Sequence, residues 1–65
     1  MALNNEVLSQ IDCTIYNYNT NSFQIRNYFK TNIIKLLEEY DKIIRVLIEN
    51  RIKFNILKDN TIYIN

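Results

Sequence analysis

Apolar and polar positions along this chain change period twice. In "IDCTIYNYN" they alternate, with Ile11, Cys13 and Ile15 on one face and Asp12, Thr14, Tyr16 and Tyr18 on the other. A period of two predicts a strand. From Ser22 to about Glu49 the spacing becomes three and four: Ile25, Phe29, Ile33, Leu36, Tyr40, Ile43 and Leu47 recur as a stripe that Leu37, Ile44 and Ile48 widen on one side. That pattern predicts an amphipathic helix. Asn21 or Ser22 is its expected N-cap, with Gln24 in capping-box position after Asn21. The other face offers Glu38 with Lys42, Asp41 with Arg45, and Arg45 with Glu49 at helical i, i+4 spacing.

After Asn50 the alternation returns in "RIKFNILKDNTIYIN", the pattern of a β-hairpin in a chain without a single glycine. Asparagine is the residue other than glycine that best tolerates positive φ. Asn50 is therefore expected to end the helix in a left-handed conformation. Asn60 is expected to close a three-residue loop, Lys58 to Asn60, as the left-handed residue after a type I turn. This loop pairs Leu57 with Thr61, Ile56 with Ile62, Asn55 with Tyr63 and Phe54 with Ile64, and gathers Ile52, Phe54, Ile56, Ile62 and Ile64 on one face. A two-residue loop would mix apolar and polar positions on both faces, and burial of one face sets the register. Ahead of the first strand, "LNNEVLSQ" predicts a short helix capped by Asn4 or Asn5, with Leu3, Val7 and Leu8 inward.

A helix over residues 22 to 49 would run about 42 Å at the usual rise, whereas strands of this kind span roughly 17 to 20 Å. Either it breaks, at "KTN" (30 to 32), or its overhang packs on a second copy of the chain. The expected architecture is α+β: one domain over residues 1 to 65, a β-α-β-β arrangement with the helix on a three-stranded sheet. The alternative splits the long helix in two. Its order of helix, strand, helix, helix and hairpin resembles a winged helix-turn-helix, which implies DNA contacts from Lys42, Arg45 and Arg51 with the "LKDNT" turn as the wing.

Composition narrows the function. A 65-residue chain buries only about 60% of its unfolded surface, and chains this small usually lean on disulfides, metals or a second subunit. One cysteine and no histidine leave neither an internal disulfide nor a usual zinc ligand set. Association with another chain is the support that remains. A net charge of +1 gives no electrostatic argument for a polyanion partner. No stretch approaches the roughly 18 consecutive apolar residues of a membrane span, and the first residues lack the pattern of a secretory signal. A cytoplasmic protein without cofactor or metal is expected. Twelve Ile and eleven Asn, with no Gly, Pro, Trp or His, match AT-rich coding, as in phages and other mobile elements.

No residue set supports catalysis. Cys13 has no histidine to serve as its base, Glu38 and Glu39 diverge around a helix, and no glycine-rich phosphate loop exists. The candidate sites are therefore surfaces. Tyr16, Tyr18, Lys53, Leu57 and Tyr63 are expected on the outer sheet face as a platform for a protein partner, since tyrosine supplies large contact area at low entropic cost. The same face is the candidate for single-stranded nucleic acid by base stacking. Ile25, Phe29 and Ile33, on the helix overhang, are the candidates for self-association. The sequence thus predicts a small, homodimeric, non-enzymatic interaction protein, a regulator or inhibitor working by stoichiometric binding. A winged-helix DNA-binding regulator is the alternative.

Overall fold

The computed structural model describes residues 3–11 and 15–65. The expected inward position of Cys13 and the outward positions of Asp12 and Thr14 lie outside the described residues. The elements in chain order are α1 (Asn5–Leu8), β1 (Tyr16–Asn17), β2 (Ser22–Phe23), α2 (Ile25–Phe29), α3 (Ile33–Glu49), β3 (Phe54–Ile56) and β4 (Ile62–Ile64). The strands form one antiparallel sheet in the order β1-β2-β4-β3. The protein is α+β, a helix packed with a small antiparallel sheet.

The N-terminal helix forms where its cap predicts. Asn4 Oδ1 accepts the Val7 N–H at 2.9 Å, and Leu3, Val7 and Leu8 join the core. The sheet has four strands instead of three because Ser22–Phe23, expected as the start of the helix, extends as β2 between β1 and β4. The helix N-cap moves to Gln24, which makes no side-chain cap bond.

The long apolar stripe breaks at "KTN". Lys30 takes φ 49° and ψ −93°, and the Asn32 N–H bonds the Phe29 carbonyl at 2.9 Å. This is a type II′ turn with lysine where glycine is preferred. Asn32 follows at φ −86° and ψ 81°, with the Ile33 N–H on the Thr31 carbonyl at 3.1 Å, an inverse γ-turn. Asn32 Oδ1 then accepts the Lys35 N–H at 3.2 Å and caps α3. The turn folds α2 back against α3, so Ile25 is fully buried and Phe29 packs on the core.

At the far end of α3 the left-handed residue is Arg51 (φ 57°), while Asn50 keeps φ −92°. The Ile52 N–H bonds the Leu47 carbonyl at 2.9 Å and the Arg51 N–H that of Ile48 at 3.0 Å. These two bonds define a Schellman motif whose left-handed position falls on Arg51. Asn50 serves instead through its side chain, Nδ2 donating to the Val46 carbonyl at 2.8 Å.

The C-terminal hairpin has the register expected from the sequence: Phe54 with Ile64, Asn55 with Tyr63, Ile56 with Ile62. The Leu57 N–H bonds the Thr61 carbonyl at 2.9 Å and Asn60 takes φ 66°. Phe23, Ile25, Ile43, Leu47 and Ile62 are fully buried between sheet and helices, each worth about 1.5–3 kcal/mol of transfer free energy. Ile56 faces inward by register yet stays exposed, because β3 is an edge strand.

Candidate interaction surfaces

The β1–β2 hairpin positions the first surface. Asn17 Oδ1 accepts the N–H groups of Asn19 (2.9 Å) and Thr20 (3.3 Å), an Asx-turn that starts the loop. Asn21 closes it at φ 52°, and its carbonyl accepts the Ile64 N–H at 2.8 Å, tying the loop to β4. Tyr16 pairs with Phe23, which pairs with Ile62, which pairs with Ile56. Directly paired residues share a face, so this row lies with the core. The opposite row is Asn17, Ser22, Tyr63 and Asn55.

Tyr16 is accordingly buried, at 5% exposure, and does not stand on the outer face where simple alternation puts it. The alternation fails because Ile15, immediately before β1, is also buried. β1 runs over Tyr16–Asn17, and Tyr16 pairs there with Phe23 in the core row. The Tyr16 ring packs at 4.8 Å from Phe23 and, edge on, at 5.0 Å from Tyr18.

Tyr18 (62% exposed) and Tyr28 (52%) flank an open groove of about 490 Å³. Its remaining lining is Ile15, Tyr16 and four amides: Asn17, Asn19, Gln24 and Asn27. Gln24 Oε1 accepts from Asn27 Nδ2 at 3.4 Å. Among the described residues, none that lines the groove carries a charge. The groove follows β1, an edge of the sheet. Strand alternation cannot find Tyr28, because it reaches the groove from α2.

The other expected platform residues disperse. Tyr63 is half-buried in the outer row beside Asn55. Leu57 is exposed at the start of the hairpin loop. Lys53 is exposed and lines, with Arg51, Glu6 and Asn50, a separate concavity of about 550 Å³ between α1 and the end of α3. The five residues do not form one face.

The self-association set separates too. Ile25 is in the core, Phe29 is half-buried against it, and Ile33 is exposed. The type II′ turn removes the overhang that grouped them. Exposure falls instead on α3, where Ile33, Ile34, Leu37 and Ile48 are all more than half exposed. The signal was present in the sequence: a stripe widened by Leu37, Ile44 and Ile48 is broader than one side of a helix can bury.

The element order, helix, hairpin, helix, helix, hairpin, follows the winged-helix alternative except that its first strand is a hairpin. Lys42 and Arg45 are exposed on α3, and Arg51 terminates it. Arg45 Nε pairs with Asp41 at 3.0 Å. The exposed ionic residues of α3 are Lys35, Lys42 and Arg45 against Glu38, Asp41 and Glu49, an even balance on a helix that would have to meet phosphates.

No protein-family model, no curated protein and no solved structure matches the chain. Among the described residues, no helix is long and apolar enough to cross a membrane.

Proposed function

We propose that this protein is a small non-enzymatic binding module, a cytoplasmic homodimer that regulates or inhibits another protein by stoichiometric capture. The observation that carries the reading is the groove between Tyr18 and Tyr28, whose described lining residues carry no charge. Tyrosine and asparagine are the residues that give paratopes rigid contact area with adaptable hydrogen bonding. A groove that tracks an edge strand suits an extended peptide, whose backbone can add to β1 while its side chains meet the tyrosines. The absence of Lys and Arg from the described lining residues favours a peptide over a nucleic-acid strand, for which cations would track the backbone.

Selection from a displayed library of random peptides tests this. Selected peptides should bind the protein and lose at least about tenfold in affinity, roughly 1.4 kcal/mol, when Tyr18→Ala and Tyr28→Ala are combined. Peptides that bind the double variant as well as the parent would place the site elsewhere.

The element order favours one second reading, a winged-helix contact of α3 with DNA through Lys42 and Arg45. The three carboxylates interleaved with its cations weigh against it.

A further inference from the structure

The outward side of α3 carries apolar residues at the spacing of a coiled-coil seam. Ile34, Leu37, Asp41, Ile44 and Ile48 are spaced by 3, 4, 3 and 4 residues, the alternation of a and d positions in a heptad. Ile34 is 72% exposed, Leu37 and Ile48 are more than half exposed and Ile44 is half-buried. The buried stripe of Leu36, Ile43, Val46 and Leu47 lies on a different side of the same helix. Glu38 and Arg45 each follow a d residue, Leu37 and Ile44, and so share one flank of the seam.

We infer that the occupant of this seam is α3 of a second copy, running antiparallel. This deepens the homodimer part of the reading above by assigning its face and orientation. The charges decide the direction. In an antiparallel pair the same flank of each helix faces itself reversed, so Glu38 meets Arg45 of the second copy, and the two-fold axis repeats the pair. In that alignment Leu37 layers on Ile48 of the second copy, and Asp41 lies beside Ile44 and within reach of Arg45 of the second copy. Arg45 already bonds its own Asp41 through Nε at 3.0 Å, which leaves the terminal guanidinium nitrogens to the second copy's carboxylates. A parallel pair would set Asp41 against Asp41 and place Glu38 and Arg45 opposite the flank carrying Ile33 and Tyr40, with no charge partner. A single polar residue at an a position is a known device for fixing register and orientation.

In this alignment the layers run from Leu37 to Ile48, about 17 Å of helix, and Ile34 falls opposite the end of α3 of the second copy. So short a seam is no larger than the roughly 1,000 Å² at which specific interfaces begin. The dimer is therefore expected to be weak and to dissociate on dilution.

Sedimentation equilibrium from about 1 to about 500 µM tests the inference. The expected result is a monomer–dimer equilibrium. Leu37→Glu should weaken it at least about thirtyfold, and Glu38→Arg, which opposes Arg45 across the dyad, at least about fivefold. Lys42→Glu, off the seam, should leave it unchanged. Leu37 and Glu38 are both exposed, so circular dichroism of these variants should match the parent. A monomer at every concentration, or a dimer indifferent to Leu37→Glu or to Glu38→Arg, would overturn the inference. Peptide binding by the monomeric Leu37→Glu variant reports on the groove separately, so the two readings fail independently.

Discussion

The Tyr16 hydroxyl donates to Asn21 Oδ1 at 3.0 Å, joining the first residue of β1 to the left-handed residue that closes the β1–β2 loop. Through the Asn21 carbonyl the same link reaches Ile64 of β4. Tyr16 is a structural residue of the groove wall, and its two halves should separate on mutation. Tyr16→Phe keeps the ring and loses the bond, costing about 0.5–1.5 kcal/mol. Tyr16→Ala removes a buried aromatic and should cost about 3–5 kcal/mol, enough to unfold much of a domain this small. Urea denaturation measures both. Equal losses would mean that the ring does not pack as described.

Among the described residues, four take positive φ: Asn21, Lys30, Arg51 and Asn60. Asparagine bears this conformation well, lysine and arginine less so, at about 1 kcal/mol or more each. Lys30→Gly and Arg51→Gly should each stabilise the fold by about 0.5–1 kcal/mol. In a domain of this size that is a rise of a few degrees in Tm, readable by thermal circular dichroism. A lower Tm for Lys30→Gly would contradict the type II′ turn between α2 and α3.

How far the sequence carries is visible at these turns. The C-terminal hairpin was legible to the residue because one face is wholly apolar and Asn60 is the residue in its loop best suited to positive φ. Length alone left the helix break as one of two outcomes, beside an overhang packed on a second copy, and the turn at Lys30 decides for the break. The β1–β2 hairpin was not, because its loop, "YNTN", reads equally well as a strand end followed by a helix cap, and only pairing with β4 makes Ser22–Phe23 a strand. The same event turned Tyr16 inward and dispersed the expected tyrosine platform. At the end of α3, local preference pointed to Asn50, but the hydrogen bonds that close the helix fall one residue later, on Arg51.

The Asp59 carboxylate sits below its ordinary value of 3.8, first through a side-chain hydrogen bond from Thr61 and then through the Thr61 N–H, which it accepts at 3.0 Å. A carboxyl whose folded value is depressed adds stability above its unfolded value and loses it as pH falls through the folded one. Stability should therefore decline as pH drops below about 4, and Asp59→Asn should remove its share of that decline. Denaturation midpoints for parent and variant across pH 7 to about 2.5 make the comparison. Identical slopes would deny the turn this role.

The even balance of exposed charges on α3 predicts no specific DNA complex. At low salt, where phosphate contacts are strongest, a mobility-shift titration with random-sequence duplex should show no band that Lys42→Ala or Arg45→Ala removes. A complex lost with either residue and weakening steeply with salt would revive the winged-helix reading.

The most direct test of the central claim is an NMR titration of the isotopically labelled protein with a selected peptide, following backbone amide shifts. Tight clustering of perturbations at Tyr16 to Asn19 and Gln24 to Tyr28, the residues along the groove and β1, is the predicted result. Perturbations confined to α3 or to the concavity by Arg51 and Lys53, with the groove silent, would contradict it.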